Sequence, residues 1–467
     1  MSRINTNVSS LIAQRVYNKN SQNLNTSLER LSTGLKINKG SDDPAGLIAS
    51  ENLRAEKVGI STAIDNAERA SNIIGTAEGG LNEVSSLLNE LQGLVGQAAN
   101  SGGLSSEEKQ ANQLQVDSIL GTINRIAAST SFQGKKLLNG SLDYTTSAVT
   151  STAIDNLRVN AARLPDGSTQ SVVVQVVASA QTAQVGYTNG AIAGNTVTIE
   201  VAGNGGTEQL SFASGTAVSS IVTAVNAVKD ATGVSATVSG SDIRFESTEF
   251  GSAQFVSVKA IAGTFATTAA KDTGADASVT INGANATTAG KSVSYRSSNL
   301  DVEFEIDDTF NVPGNTTFGI TGGGATFSLG SKVTETDKAS IGLASVSTGS
   351  LGDTANGFLS SLGSGGANAL SGDNLTTAQK VLDKAVKQVS QLRGRLGAFQ
   401  KFTIGSTVNA LGVAYENASA AESAIRDTDF AEETSKLTRG QILSQAASTV
   451  LAQANSSPQS ALALLRG

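Results

Sequence analysis

The sequence predicts an α+β, multidomain protein in which two helical arms, one from each end of the chain, carry an inserted β-rich outer region. Residues 1–140 and 351–467 contain long seven-residue apolar repeats with few aromatic residues, whereas residues 150–345 contain strand-like runs rich in Gly, Thr, Ser and Val. Distant segments that share one helical pattern are expected to pack together. The arms are therefore predicted to form an antiparallel coiled-coil or helical-bundle rod from which the insertion projects.

The first arm carries the longest repeat, an unbroken series of apolar residues at spacings of three and four that predicts a coiled-coil seam. The series comprises Ile60, Ala63, Ala67, Ala70, Ile74, Ala77, Leu81, Val84, Leu88, Leu91, Val95 and Ala98. Ser105 with Glu108 then has the form of a capping box and predicts the start of a second helix. Residues 132–140 end in turn residues and predict a short hairpin.

The second arm repeats this pattern over residues 375–399 and continues it over residues 404–418 in a shifted frame. Its antiparallel return along the first arm would bury both stripes. The residues predicted to pack in this rod are Leu81, Leu88, Leu91, Val95, Leu382, Val389, Leu392 and Leu396. The alternative is an ordinary helical bundle that happens to carry an insertion.

The extreme ends of the chain carry narrower apolar stripes, among many Asn, Gln and Ser residues. An isolated helix of this kind is marginal in water, so these segments need a partner, and a second copy of the chain could be that partner. The predicted assembly interface comprises Ile4, Val8, Leu11, Leu24, Leu28, Leu31, Leu35, Leu437, Leu443, Ala447, Val450 and Ala454.

Charge is distributed unevenly along the chain. Residues 1–140 contain 13 basic and 13 acidic residues, residues 351–467 contain 10 and 9, and residues 141–350 contain 10 and 18. Nearly neutral arms favour close packing of many copies, and an acidic middle favours a solvated exterior. Without a basic patch that includes aromatic residues, no nucleic-acid partner is expected.

The absence of His and Cys removes most metal sites, thiol catalysis and Ser-His-Asp triads. The sequence accordingly predicts no enzyme, no catalytic or metal-binding residues and no cofactor. The start, MSRINTNVSS, lacks the apolar core of a signal peptide, and no run of 18 apolar residues predicts a membrane span.

The middle of the chain predicts two β modules, at about residues 150–265 and 275–345. The first is expected to contain a helix at residues 217–229, in a strand–helix–strand order. In the second, residues 301–307 alternate between apolar residues and carboxylates. The carboxylates are interpreted as a solvated strand face, partly neutralised by Lys or Arg on neighbouring strands, with Ca²⁺ binding as the alternative. The adjacent carboxylates Asp42 and Asp43 are interpreted as turn and cap residues.

Two terminal motifs identify the chain as similar to bacterial flagellin. They are MSRINTNVSSLIAQ followed by LNTSLERLSTGLKINKGSDDPAGLIAS, and IRDTDFAEETSKLTRGQILSQAASTVLAQANSSPQSALALLRG. The resemblance covers about residues 1–140 and 375–467. It implies a structural subunit that self-assembles into the flagellar filament, with its terminal helices folding as it polymerises. The implied domains are an inner core (1–42 and 430–467), a helical rod with a short hairpin (43–145 and 351–429) and an exposed insertion (146–350).

The resemblance also implies partners and a location. It implies a secreted protein of the extracellular flagellum, exported through the flagellar type III apparatus. An export chaperone would bind the C-terminal segment, and the filament cap and hook-associated proteins would be neighbours. A hook–filament junction protein remains one alternative. The other is an adhesin or enzyme that uses the acidic middle.

One segment departs from the family pattern. The stretch recognised by the mammalian flagellin receptor typically reads LQRVRELAVQ, whereas residues 88–97 read LNELQGLVGQ. Glu90 reverses the charge of a basic contact and Gly93 removes an acidic one, so weak receptor recognition is expected. The corresponding residues are Leu88, Asn89, Glu90, Gly93, Leu94 and Gln97.

Overall fold

The computed structural model describes residues 6–100, 103–165, 168–192, 194–372 and 374–466. Contacts along the chain divide it into two compact units. One comprises Met1–Glu68, Ser328–Asp337 and Ile404–Gly467, and the other comprises Arg69–Phe327 and Lys338–Thr403. This division does not test the predicted core, rod and insertion boundaries, which stay a prediction.

Helices form both arms, as the sequence predicted, and two short helices lie in the insertion. They are α1 (Val8–Thr33), α2 (Pro44–Ala98), α3 (Ser106–Ser129), α4 (Val218–Ala227), α5 (Lys229–Thr232), α6 (Leu375–Ala398), α7 (Ser406–Arg426) and α8 (Phe430–Arg466). Every member of the apolar repeat from Ile60 to Ala98 is at most 2% exposed on α2. The capping box of Ser105 and Glu108 is present at the start of α3, with both hydrogen bonds formed.

The frame shift in the second arm has a local cause. A π-helical segment, Phe399–Gly405, lies between α6 and α7. A π-turn holds about one residue more than an α-turn, so the buried position moves from Leu396 to Ile404, eight residues later rather than seven. The repeat therefore continues on the same side of the helix in a new frame.

The insertion, the short hairpin and the segment that follows the insertion supply the strands. They are β1 (Ser131–Phe132), β2 (Lys135–Lys136), β3 (Tyr144–Ser147), β4 (Ile154–Ala162), β5 (Gln170–Ala178), β6 (Gln184–Tyr187), β7 (Val197–Gly203), β8 (Thr207–Phe212), β9 (Val234–Ser239), β10 (Asp242–Ser247), β11 (Phe255–Ala262), β12 (Lys271–Thr273), β13 (Ser278–Ile281), β14 (Ala284–Asn285), β15 (Thr287–Ala289), β16 (Ser292–Arg296), β17 (Leu300–Ile306), β18 (Gly314–Gly323), β19 (Ala325–Ser328), β20 (Lys338–Ile341), β21 (Gly352–Asp353) and β22 (Gly357–Phe358). The pair β1–β2 forms the predicted hairpin.

The insertion contains two apolar cores, and one is nested in the other. A core within residues 183–265 joins the sheet β12-β11-β7-β8 to the sheet β6-β10-β9 and to α4. The other core joins the sheet β14-β13-β5-β18-β3 to the sheet β15-β16-β17-β4. In it, β5 pairs with both β13 and β18, so residues 144–180 pack with residues 277–320. The sequence predicted two modules divided near residues 265–275, and the second core takes strands from both sides of that division.

Among the described residues, no helix is both long and apolar enough to cross a membrane.

Candidate assembly interface

Helices α1 and α8 pack side by side in opposite directions. Near the start of α1, Asn7 Nδ2 donates to Ala454 O at 2.7 Å, and in its middle Asn20 Nδ2 donates to Leu443 O at 3.3 Å. Towards its end, Arg30 lies 3.9 Å from Glu433. Residue numbers therefore rise along one helix as they fall along the other, which is the antiparallel arrangement predicted for the arms.

The seam between α1 and α8 is built mainly from small side chains. Ala13 and Ser27 are buried on α1, and Ala447 is buried on α8. A Cβ at Gly440 would lie 3.4 Å from the Leu24 side chain, so the two backbones approach closely at this point. Small residues permit this approach but remove little apolar surface from water, so the seam contributes little hydrophobic stabilisation.

Many of the larger apolar side chains of the two helices are exposed in the single chain, and we call eight of them the outward stripe. Each member is between 44% and 65% exposed. The outward stripe comprises Val8, Leu11, Ile12, Val16, Leu28, Ile442, Leu443 and Val450. Four of these residues line an apolar groove with Ala13, Ala446 and Ala447, namely Ile12, Val16, Leu443 and Val450.

The structure sorts the predicted assembly residues into two groups. Those on the outward stripe are Val8, Leu11, Leu28, Leu443 and Val450. The others are the buried Ala447 and the half-buried Leu24, Leu31, Leu437 and Ala454 on the two helices, with half-buried Leu35 in the connection after α1, where it forms a β-bridge with Asp427. Ile4 lies outside the described residues. The sequence reasoning missed Ile12, Val16 and Ile442, although the i, i+4 spacing of Val8, Ile12 and Val16 was available to find the first two.

The connection from α1 to α2 is held by backbone hydrogen bonds to the α7–α8 connection. Lys36 N donates to Arg426 O at 2.7 Å, and Thr428 N donates to Gly34 O at 2.9 Å. Gly34 adopts a left-handed conformation, with φ of 73°, and ends α1. The two connections therefore join the arms where each changes direction.

Asp42 and Asp43 are turn and cap residues, as predicted. The Asp42 carboxylate accepts from the backbone N–H groups of Lys39 and Asn38, and these bonds lower its pKa. Asp43 Oδ1 accepts from Gly46 N at 3.0 Å in the first turn of α2. A Cβ at Gly46 would lie 2.5 Å from Asp43 Oδ2 and 2.7 Å from the Ile37 side chain, so this position admits only glycine without rearrangement.

Ion pairs link α2 to α7 within the unit that contains the chain ends. Lys57 Nζ lies 2.8 Å from Glu422, and this hydrogen bond raises the pKa of Lys57. Arg426 donates to Glu51 at 2.8 Å. In the other unit, Arg393 of α6 lies 4.0 Å from Glu78 of α2, and Gln400 Nε2 donates to Ser71 Oγ of α2 at 2.8 Å. All eight predicted rod-packing residues are at most 3% exposed: Leu81, Leu88, Leu91, Val95, Leu382, Val389, Leu392 and Leu396.

The carboxylates of β17 are matched by cations on neighbouring elements. Arg296 lies 2.9 Å from Glu303 and 3.5 Å from Asp301, and Lys384 of α6 lies 2.8 Å from Glu305. Burial acts to raise the pKa of Glu305, but the hydrogen bond and the charge of Lys384, with the hydrogen bond from Asn156 and the charge of Lys291, together outweigh burial and lower that pKa. The described residues contain no group of three or more carboxylates arranged to hold a metal ion. The pairing supports the neutralised strand face over a Ca²⁺ site.

The receptor-like segment divides between the two sides of α2. Leu88 and Leu94 are buried in the rod, whereas Asn89, Glu90, Gly93 and Gln97 are exposed. The altered positions Glu90 and Gly93 are therefore available to an external partner in the single chain.

Comparison with known proteins places three segments in family models. Residues 4–143 match the bacterial flagellin N-terminal helical region, residues 379–465 match the bacterial flagellin C-terminal helical region, and residues 196–249 match the flagellin hook IN motif. The last match covers the predicted strand–helix–strand module.

Relatives that align over the whole chain are also flagellins. The chain is 31% identical to Flagellin B of Vibrio cholerae serotype O1 and 30% identical to Flagellin A of Vibrio anguillarum, over 99% of each chain in both comparisons. Among solved structures, FliC from Burkholderia pseudomallei is 17% identical with a TM-score of 0.25, and the match covers 71% of this chain and 99% of that one. FlgL from Xanthomonas campestris is 12% identical with a TM-score of 0.23, over 83% and 98%. TM-scores this low do not establish a shared arrangement, so the sequence matches are the stronger comparison.

Proposed function

Since this chain belongs to the bacterial flagellin family and is a structural subunit of the extracellular flagellar filament, we propose that α1 and α8 become stable only when neighbouring copies cover the outward stripe. The observation that carries this proposal is the division of side chains on these helices. The fully buried apolar residues are small, namely Ala13 and Ala447, whereas the eight larger residues of the outward stripe are 44–65% exposed. A helix pair with so little buried apolar area does not offset its own ordering entropy.

Assembly would supply the missing stabilisation. Fully burying a Val or Leu side chain contributes about 1.5–3 kcal/mol, so covering the exposed half of one contributes about 1 kcal/mol. The outward stripe contains eight such residues. Their burial in every subunit would contribute several kcal/mol, which is comparable to the net stability of a small domain. Ordering of the ends is thereby coupled to polymerisation.

The domain roles follow from this mechanism. In this proposal residues 1–42 and 430–467 form the inner core of the filament, residues 43–145 and 351–429 form its rod layer, and residues 146–350 face outward. The concentration of acidic residues in the middle of the chain supports the last assignment, because repeated negative charge is best tolerated in solvent. The flagellins are a structural family, and we assign this member no catalytic role.

Partners are assigned from the same family relationship. An export chaperone would bind the C-terminal segment before assembly, because the outward stripe of α8 is then uncovered. Export would proceed through the flagellar type III apparatus. The filament cap and the hook-associated proteins would be the subunit's neighbours at the two ends of the filament.

Seeded growth combined with hydrogen exchange tests the proposal. Purified chain is added to short filament seeds, elongation is followed by electron microscopy, and amide exchange is compared between monomer and filament. We expect elongation, with residues 8–33 and 430–456 exchanging rapidly in the monomer and slowly in the filament. Strong protection of both segments in the free monomer would show that the ends are already stable, and the coupled mechanism would fail. Binding to seeds without elongation would indicate a junction protein.

A further inference from the structure

The loop between β19 and β20 is an ordered structure held by its own hydrogen bonds. Leu329 N donates to Asp337 O at 2.8 Å and closes its base, while Asp337 N donates to Thr334 O at 3.1 Å. Thr334 Oγ1 also donates to the Asp337 carboxylate at 2.7 Å. A Cβ at Gly330 would clash with the Asp337 side chain, so the base of the loop closes only around a glycine. The loop therefore presents its tip in a defined conformation.

This loop packs against α2 at a glycine. A Cβ at Gly59 would lie 2.7 Å from Ser331 O and 3.4 Å from Ser331 Cβ, so the loop backbone occupies the space that a side chain of residue 59 would need. Gly75 and Gly93 of the same helix have nothing within 4 Å of such a Cβ. Gly59 thus differs from these two helical glycines, because the backbone of the loop packs directly against α2 at this position. Consistent with that contact, Ser328–Asp337 belongs to the compact unit that contains both chain ends.

The tip of the loop exposes an apolar side chain. Val333 is 87% exposed, the highest value among the large apolar side chains of the described residues. The neighbouring part of α2 also leaves Val58 at 64% and Ile48 at 65% exposure. Ordering a loop costs conformational entropy, and a valine side chain that stays exposed to water contributes no hydrophobic stabilisation to offset that cost. In a subunit that polymerises, a second copy is the available cover for such a residue.

We propose that the loop Ser328–Asp337, docked on α2 at Gly59, is a contact between copies of this chain in the filament, with Val333 covered by the adjacent subunit. This rests on the chain being a filament subunit and is independent of how α1 and α8 become ordered. The proposal also gives this loop a different role from the rest of the insertion, which is proposed to face outward.

Single-cysteine labelling tests the contact directly, because the natural chain contains no cysteine. Val333→Cys is labelled with a maleimide as monomer and as seed-grown filament, beside Ser241→Cys in the exposed turn between β9 and β10. We expect the thiol at 333 to react at least ten-fold more slowly in the filament, while the thiol at 241 reacts at similar rates in both states. Equal reactivity of the thiol at 333 in monomer and filament would overturn the proposal. A folded Val333→Cys monomer that cannot elongate parent seeds would support it, because a small side-chain change at the tip would then block growth.

A helix substitution provides a second readout. Gly59→Ala favours the helix but displaces the loop, whereas Gly75→Ala favours the helix to the same degree and displaces nothing. We expect Gly59→Ala to slow elongation several-fold while the monomer remains folded, and Gly75→Ala to elongate as the parent does. If Gly59→Ala elongates at the parent rate, the loop is not an assembly contact. Failure of the parent chain itself to elongate would instead count against the filament function.

Discussion

Val450 provides the sharpest test of the outward stripe. It is 58% exposed in the single chain, so about that fraction of its apolar surface remains to be covered in the filament. Val450→Ala removes two methyl groups worth about 0.8 kcal/mol each when fully buried, and the exposed share of this is about 0.9 kcal/mol. An energy of about 0.9 kcal/mol corresponds to a change of roughly five-fold in the equilibrium for adding one subunit.

The assay is the critical concentration for elongation from seeds, measured by sedimentation. Thr449→Ala is the matched control, since Thr449 is the neighbouring exposed residue of nearly the same shape, with its hydroxyl bonded within its own helix at 2.7 Å. We expect about a five-fold rise for Val450→Ala, a much larger rise for Val450→Asp, and less than two-fold for the control. The reasoning would be refuted if Val450→Ala and Thr449→Ala shifted the critical concentration equally.

Three further predictions concern other parts of the chain. Gly46→Ala is expected to lower the melting temperature of the monomer, although alanine has the better helix propensity. Gly79→Ala is the control, because a Cβ at Gly79 meets open space, and it should not lower the melting temperature. Equal melting temperatures of the two variants would contradict the close packing at Gly46. The pKa of Glu305 is lowered in the folded chain. Its pairing with Lys384 therefore stabilises the folded state at pH values above the ordinary glutamate pKa of about 4.3, and this stabilisation is lost as the pH falls through the pKa that Glu305 has in the folded chain. Lys384→Met should therefore lower the melting temperature at pH 7 and differ little from the parent at pH 3, and an unchanged gap would argue against the pair. Glu90→Arg restores the basic residue of the family's receptor motif and should raise potency in a receptor reporter-cell titration about ten-fold or more, because a charge-assisted hydrogen bond contributes about 1.5–3 kcal/mol; parent and variant of equal potency would contradict this.

The local features of this protein could be predicted from its sequence because each depends on residues close together in the chain. The repeat from Ile60 to Ala98 predicted the buried side of α2, since residues three and four apart share one side of a helix. Ser105 and Glu108 predicted the start of α3 by the same local logic. Alternation along β17 likewise predicted which side is buried, with Val302, Phe304 and Ile306 all at most 3% exposed.

Only the tertiary structure decided which surfaces meet. The narrow stripes at the two ends predicted helices in need of partners, but not that Ala447 would enter the seam while Val450 would remain outside it. The nesting of the two insertion cores depends on β5 pairing with β13 and β18, and the docking of Ser331 at Gly59 joins segments far apart in sequence. The physical reason is the same in each case. Periodicity determines which side of an element is apolar, whereas the partner of that side depends on shape, close approach and chain closure across long separations.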